Sequence, residues 1–526
     1  MSAPTIEPKT DPTQRERFLA WRGREWEKAA AAKKERPAHR LGVDVDAPIP
    51  PTTGDPVPGG GLAANVLSGV EWQGVTTQVC GLFPFAAPSG VHVRGVPVGT
   101  HQHTGEPVGL DPAQWLADKL VSNTAIWCQG QPGIGKSTII KRLMIGLMSF
   151  GFRAIVQGDL KDEYEDIVLM CAGEDAVARV GRGLGVLNPL DTSPLIPAIA
   201  AATGQKKINL LGDAHASQVD LLEAMVTIGM RGAQLETYER TALELALRLA
   251  SEGARRHDNR DPIIPQVLEV LTQGPAELRW RVAANPDVPY DYEKTILRLR
   301  EGLRLTCEGA LKGMFDGPST FRVDPDLPAF SLSLSAVEDS SDDVIAAAMM
   351  CSWAWTSMMS RGQSAVGKPR NVFQIQDELW KGLRAAPGLV EKSDGVTRLG
   401  RHKGMVSAQV SHSQEDLDAL PTPEDRAKAR GLASRSNVQI FGGCDGKEVE
   451  RIGKITKISE AEGSELKAWA APPTWVPGLA HPGRGKYLIK SGQRQGLPIT
   501  MRLSALERKL YDTDRAFSSV RNKRMA

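Results

Sequence analysis

GQPGIGKST, residues 130–138, decides the fold, because it matches the pattern G-x-x-x-x-G-K-[ST], which occurs once in the chain. The apolar stretch NTAIWCQG (123–130) leads into it, and KSTIIKRLMIGLMSFG (136–151), with the apolar periodicity of a helix, follows it. A strand, a glycine-rich turn and a helix in this order are the context in which the pattern forms a phosphate-binding loop. The sequence therefore predicts a nucleotide site inside an α/β fold.

The residue types of this loop have chemical reasons. Gly130, Gly133 and Gly135 allow successive backbone N–H groups to curl round a phosphate at the positive end of a helix. Lys136 is expected to reach the β- and γ-phosphates of ATP, and the Ser137 hydroxyl to ligate Mg²⁺. ATP and Mg²⁺ are thus the predicted cofactors. The predicted nucleotide-binding residues are Gly130, Gln131, Pro132, Gly133, Ile134, Gly135, Lys136, Ser137 and Thr138.

Two adjacent acids, Asp377 and Glu378, end the predicted strand NVFQIQDE (371–378) far downstream. Neighbouring carboxylates repel each other unless positive charge shares their site. We predict that Asp377 holds Mg²⁺ and that Glu378 polarises the attacking water, with Mg²⁺ and Lys136 as the positive partners. A surface acidic pair at the end of a strand is the alternative. A Glu directly after the Asp favours hydrolysis over phosphate transfer, and no N-K-x-D motif supports guanine specificity.

Further residues are candidates for completing a catalytic site. Gln409 ends the predicted strand GMVSAQV (404–410) and is a candidate sensor of the γ-phosphate. In ring ATPases an arginine of a neighbouring subunit stabilises the charge of the transition state. The candidates for this role are Arg398, Arg401 and Arg435. The sequence does not choose among the three, and each taken alone is better explained as a surface arginine.

The composition and the apolar stretches give no support to a nucleic-acid-binding, disulfide-rich, secreted or membrane-spanning protein. A net charge of +2 over 526 residues gives no argument for a nucleic-acid partner. Six cysteines without a C-x-x-C pair are typical of reduced thiols in a cytosolic protein. The first residues lack the apolar region of a signal peptide. The stretch VIAAAMMCSWAWTSMM (344–359) is shorter than the ~20 residues of a membrane-spanning helix, so it predicts a buried helix and no transmembrane segment.

The pattern of the whole chain predicts an α/β protein: a RecA-like P-loop NTPase core with a mostly parallel sheet, a helical insertion and a small N-terminal β-rich segment. Strands are also predicted at FRAIVQGD (152–159) and AFSLSLS (329–335). We divide the chain into a flexible extension with a basic helix and a Pro/Gly linker (1–62), a β-rich segment with a hairpin (63–125), the first part of the core (126–213), the helical insertion (214–310), and the second part of the core with closing elements (311–526).

Taken in order, these stretches resemble the large ATPases of conjugative type IV secretion systems, the VirB/TraC/TrbE-type branch of the HerA/FtsK-like P-loop motors. The resemblance covers roughly residues 75–515. Besides the P-loop, it rests on a Gly-rich hairpin GVPVGTHQHTGEPVGLD (95–111), on QGDLKDEYEDI (157–167) with Asp162 where a Gly is usual, on an F-D-G segment (309–333), on FQIQDE (373–378), on RLGRHKGMVSAQVSHSQEDL (398–417), and on a strand pair with a closing helix (486–514).

The resemblance implies an ATP-hydrolysing motor that works as a homo-oligomer, a hexamer, on the cytoplasmic face of the membrane. Its implied partners are type IV secretion channel proteins, with DNA as a further candidate. Family members usually carry a large N-terminal domain that docks on the channel. Only about 75 residues precede the region of resemblance here, so the basic helix at 15–36 is the candidate attachment segment.

Two alternatives stay open at this point. A DNA-pumping translocase or coupling-type ATPase shares the same core, and GQKKIN (204–209) is a thin candidate for its basic pore loop. A coupling protein would be expected to have N-terminal transmembrane helices, which the chain lacks. An assembly scaffold that binds ATP and hydrolyses little is the second alternative. The presence of Lys136, Ser137, Asp377 and Glu378 argues against a scaffold.

Overall fold

A computed structural model describes residues 94–257, 260–283, 292–324, 326–365, 370–384, 387, 389–390, 404–472, 481–492 and 494–511. The predicted extension (1–62), the first part of the β-rich segment (63–93) and the arginines Arg398 and Arg401 lie outside these residues. The described part belongs to one unit, Ser89–Ala526. The predicted segment boundaries remain predictions.

Eleven strands of the described residues form one sheet in the order β2-β1-β11-β10-β9-β3-β8-β7-β4-β6-β5. Their bounds are β1 Val96–His101, β2 Pro107–Leu110, β3 Ala125–Gln129, β4 Arg153–Asp159, β5 Val177–Arg179, β6 Ala329–Ser333, β7 Val372–Gln376, β8 Met405–Ser411, β9 Val438–Phe441, β10 Lys486–Ser491 and β11 Leu497–Thr500. The neighbours from β9 to β5 are parallel, and those from β9 to β2 are antiparallel. The prediction of a mostly parallel α/β sheet is confirmed.

Helices cover the sheet and connect its parallel strands. They are α1 Pro112–Ala117, α2 Lys136–Ser149, α3 Glu165–Ala172, α4 Ile196–Ala201, α5 Gly204–Gly229, α6 Thr237–His257, α7 Ile264–Gln273, α8 Ala276–Ala283, α9 Tyr292–Cys307, α10 Asp342–Ala365, α11 Leu379–Leu383, α12 Gln414–Asp418, α13 Pro423–Arg435, α14 Gly446–Gly453, α15 Glu460–Trp469 and α16 Ala505–Leu510. Short 3-10 turns lie at Glu174–Ala176, Ser193–Leu195, Gly309–Leu311 and Ser335–Val337.

Alternate residues of the central strands enter two hydrophobic cores, one on each face of the sheet. In β3, Ile126 and Cys128 pack on the face covered by α2 and the β1–β2 hairpin, whereas Trp127 packs on the face covered by α5–α10. This is the period-2 alternation of a strand that is buried on both sides. The predicted strands and the hairpin are confirmed, and the helices α5–α9 fill the predicted helical insertion, beginning at Gly204.

The apolar segment predicted as a buried helix lies in α10, where Ala346, Met349 and Cys351 are fully buried. None of the helices that the structure describes has both the length and the apolar character needed to cross a bilayer. Two parallel strands, β5 and β9, were not predicted. Each has only three or four residues, which is too short for a periodic pattern.

The hairpin packs directly on the helix that follows the P-loop. Val96 and Val98 of β1 are buried in the same core as Leu143 and Leu147 of α2. Gly146 of α2 makes this close approach possible, because a Cβ at that position would overlap the side chain of Val96. Hairpin and phosphate-binding loop are therefore mechanically connected through α2.

We predict that Gly146→Ala lowers the free energy of unfolding by about 1–3 kcal/mol, the usual cost of overpacking a core. In an uncrowded helix the same change stabilises by about 1 kcal/mol. Gly253→Ala in α6 is the matched control, because a Cβ there would meet no atom within 4 Å apart from its chain neighbours and the nearby backbone of its own helix. Urea unfolding of both variants gives the two values. Adding Val96→Ala to Gly146→Ala should recover part of the loss, and a stabilised Gly146→Ala would contradict the packing described here.

Candidate nucleotide-binding site

The P-loop connects the carboxyl end of β3 to the first residue of α2, Lys136. Gly133 and Gly135 have φ angles of 80° and 104°, in the left-handed region that glycine adopts without strain. Gly135 is the N-terminal capping residue of α2, so the free N–H groups and the positive end of the helix dipole lie at the loop. The predicted strand–loop–helix geometry is thus present.

Three hydrogen bonds to residues in the C-terminal third of the chain fix the backbone of the P-loop. Gln131 N donates to the Gly443 carbonyl at 3.2 Å, and Gly485 N donates to the Ile134 carbonyl at 3.1 Å. The buried hydroxyl of Tyr487 donates to the Gly135 carbonyl at 2.6 Å. These hydrogen bonds hold the backbone of the loop in shape without using any side chain of the loop itself.

Asp377 comes directly after β7 and lies beside the first turn of α2. The Ser137 hydroxyl donates to Asp377 Oδ2 at 3.3 Å, and the Tyr164 hydroxyl donates to the same oxygen at 2.7 Å. Burial, and then the negative charges of Glu163 and Glu378, raise the pKa of Asp377. The two sequence motifs that were predicted to share a site therefore do so, although 240 residues separate them.

A divalent cation fits this position. A serine hydroxyl and a carboxylate are ligands that Mg²⁺ accepts, and a bound cation would offset the repulsion that raises the pKa of Asp377. Among the described residues, no group of three or more His, Cys, Asp or Glu side chains is arranged to hold a metal. Mg²⁺ usually takes only one or two protein carboxylates and completes its shell with phosphate and water. Ser137 and Asp377 are the residues that would hold it.

Glu378 is bound by three donors from three segments of the chain. Lys161 Nζ lies 2.6 Å from its Oε1, and His412 Nε2 and Trp380 Nε1 lie 3.0 Å and 2.8 Å from its Oε2. Burial opposes ionisation of the carboxyl, but its interactions with His412, and then those with Lys161, outweigh burial and hold the pKa of Glu378 well below its usual range. Glu378 is therefore ionised at neutral pH.

Lys136 also has three partners. Its Nζ donates to the carbonyls of Gly130 and Gln131 at 2.9 Å and 3.2 Å, and it lies 2.8 Å from His412 Nδ1. Burial lowers the pKa of Lys136. The prediction named Lys136 as a positive partner of the acid pair, but the direct ion pair of Glu378 is with Lys161. Lys136 reaches Glu378 by way of His412.

Three residues of this site were not predicted: Lys161, Tyr164 and His412. Lys161 and Tyr164 belong to QGDLKDEYEDI, which was noted for its resemblance and given no role. His412 directly follows β8, three residues after Gln409. Their positions in the sequence could have indicated them, because all three residues follow the carboxyl ends of predicted parallel strands. This is the edge of an open α/β sheet where ligands bind.

The remaining candidates lie elsewhere. Gln409 is buried inside β8, and its Nε2 donates to Gln376 Oε1 at 3.2 Å. Arg435 ends α13, and its carbonyl accepts a hydrogen bond from Asn123 at 2.6 Å, at the amino edge of the sheet and opposite the P-loop. Arg398 and Arg401 are not among the described residues. The roles predicted for these four residues remain predictions.

Comparison with solved structures establishes the fold. VirB4 of Thermoanaerobacter pseudethanolicus is 20% identical, over 80% of this chain and 100% of that chain, with a TM-score of 0.58. The chain has the VirB4 fold. The plasmid coupling protein TrwB in complex with ADP and Mg²⁺ is 14% identical, over 79% of this chain and 92% of that chain, with a TM-score of 0.48. No family model and no curated protein matches the chain. The core is thus a P-loop NTPase fold, shared with VirB4.

We predict that Tyr487→Phe, which removes the hydroxyl that bonds to Gly135, lowers the free energy of unfolding by about 1 kcal/mol. It should also speed amide hydrogen exchange in residues 131–135, because the loop loses one of its fixed points. Tyr511→Phe is the control, since its hydroxyl makes a 3.4 Å contact with Glu507, away from the loop. Exchange in the loop that is equal in both variants would show that Tyr487 does not support it.

Proposed function

We propose that the protein is an Mg²⁺-dependent ATPase that energises a conjugative type IV secretion apparatus. The observation that carries the proposal is the contact between Ser137 and Asp377, which unites the P-loop with the acidic strand end in a VirB4-type fold. The sequence motifs of the chain resemble those of the VirB/TraC/TrbE-type ATPases. The similarity of its fold to that of VirB4 agrees with this resemblance.

The proposed reaction assigns a task to each part of the site. The backbone N–H groups of the P-loop and Lys136 bind the β- and γ-phosphates, since they concentrate positive charge at the start of α2. Ser137 and Asp377 hold Mg²⁺, which supplies positive charge to the phosphate oxygens when bound. Glu378, ionised and at the same edge of the sheet, orients a water and accepts its proton during attack on the γ-phosphate.

The wider role follows from the resemblance. We propose a homo-oligomer, a hexamer, at the cytoplasmic face of the membrane, with type IV secretion channel proteins as partners. In such a ring an arginine of one subunit would complete the site of the next. Arg435 lies at the opposite edge of the sheet from its own P-loop, so it does not complete the site of its own subunit. A DNA-pumping motor is the competing role of the same core.

We predict that Lys136→Ala abolishes ATP turnover, because the charge that meets the β- and γ-phosphates is lost. Glu378→Gln should retain ATP binding but lower kcat by about 10²–10⁴-fold, the usual contribution of a general base. A phosphate-release assay and binding of a fluorescent ATP analogue measure the two quantities. Glu301→Gln, at an exposed position of α9, is the matched control and should leave both unchanged. Normal turnover by Glu378→Gln would refute the general-base assignment.

If an arginine acts between subunits, ATP turnover should rise faster than linearly with protein concentration over the range in which the protein assembles. Light scattering recorded on the same samples gives the assembly state. Adding single- and double-stranded DNA separates the two roles of the core. Turnover that follows assembly and ignores DNA supports the secretion ATPase, whereas strong stimulation by DNA supports the translocase. Strict proportionality to concentration across assembly would exclude completion of the site by a neighbour.

A further inference from the structure

His412 connects the P-loop lysine to the carboxylate expected to activate water. Its Nδ1 lies 2.8 Å from Lys136 Nζ, and its Nε2 lies 3.0 Å from Glu378 Oε2. An ammonium group has donors only, so Nδ1 accepts and the proton of the imidazole lies on Nε2, from which it is donated to Glu378. The partner on one side of the ring thereby fixes the hydrogen bond on the other side.

The contacts of Lys136 show what this connection implies for nucleotide binding. A lysine ammonium has three hydrogens, and here they meet Gly130 O, Gln131 O and His412 Nδ1. To bind a phosphate, Lys136 must exchange at least one of these partners. The two carbonyls belong to the loop that itself encloses the phosphate. His412 comes from another strand end, so it is a separate competitor for the lysine.

His412 is itself held in place from both sides. Its ring lies 6.4 Å from the ring of Trp380, centroid to centroid, and Trp380 also donates to Glu378. Ser413, the next residue, is the N-cap of α12 and accepts from Asp416 N, which fixes the backbone at the start of that helix. The imidazole is therefore positioned by contacts other than that with Lys136, and a pre-positioned acceptor competes more effectively than a mobile one.

We propose that His412 is a latch on Lys136: it holds the lysine off the phosphates, weakens nucleotide binding and thereby favours release of ADP. The proposal rests on the proposed ATPase function and names the residue that sets its nucleotide affinity. His412 is a positioning residue, because it acts through Lys136 and Glu378. A latch has a distinctive consequence: removing a native hydrogen bond should strengthen ligand binding, whereas loss of a merely structural contact weakens it.

The test measures the Kd of a fluorescent ADP analogue with Mg²⁺ for the full chain. His412→Ala should bind about 3- to 10-fold more tightly, the equivalent of one ordinary hydrogen bond, and its ADP should dissociate correspondingly more slowly. His412→Gln should return the Kd close to that of the wild type. The glutamine amide oxygen accepts from Lys136, and its N–H group donates to Glu378. His103→Ala, at an exposed position of the hairpin, is the control and should leave the Kd unchanged.

A double-mutant cycle shows whether the effect passes through the lysine. In a Lys136→Met background, His412→Ala should no longer tighten binding, because there is no ammonium left to release. Tightening that persists without Lys136 would overturn the latch, and so would unchanged or weaker binding by His412→Ala. Thermal unfolding of each variant checks the fold, and His412→Gln keeps the test decisive if His412→Ala is unstable.

Failure of the two proposals can be told apart. A wild-type protein that binds no nucleotide would refute the ATPase and the latch together. A wild-type protein that binds and hydrolyses ATP, with His412→Ala indistinguishable from it, would refute the latch alone. Tighter binding by His412→Ala with restoration by His412→Gln supports both proposals.

Discussion

Two carboxylates follow one another at the end of β7, and the site depends on how their repulsion is relieved. Each of the two carboxylates has its own hydrogen-bond donors. Asp377 accepts from Ser137 and Tyr164, whereas Glu378 accepts from Lys161 and His412. Glu378 has a left-handed backbone with φ of 51°, a conformation that costs a residue with a Cβ about 1–2 kcal/mol. Strain of this kind is typical of positions where function decides the geometry.

The same edge of the sheet explains why remote segments of the chain meet. Parallel strands bring their carboxyl ends together, so the P-loop after β3, Lys161 after β4, Glu378 after β7 and His412 after β8 become neighbours. The antiparallel half of the sheet also stabilises the P-loop. Tyr487 of β10 bonds to the loop from 352 residues away along the chain. The C-terminal strands are therefore part of the nucleotide site, although they carry no residue of its sequence motif.

Local patterns predicted the parts of this fold that local physics determines. The P-loop, its flanking strand and helix, and the acid pair are readable because each needs particular residue types at fixed spacing. Which strands pair with one another cannot be predicted from local sequence in this way. The four residues of β9 carry no periodic signal, and their place beside β3 follows from tertiary packing. The end of a strand is not readable to within one or two residues either, so Gln409, which lies inside β8, was predicted as a site residue, whereas His412, just beyond its end, was not. Asp162, at the position where the family resemblance would place a Gly, has φ of 52°, a left-handed conformation that is strained for a residue with a Cβ.

The site combines a fixed backbone with exchangeable side-chain contacts. Hydrogen bonds from Gly443, Gly485 and Tyr487 to the P-loop do not involve the groups that would bind phosphate. Lys136 and Glu378, by contrast, are the groups proposed to meet phosphate and water, and each is held by hydrogen bonds to other residues. Each exchange trades one hydrogen bond for another, so its net free-energy change is small, within about 1 kcal/mol. In the proposed mechanism the partners of these two side chains set the affinity for nucleotide, and His412, which contacts both, couples them.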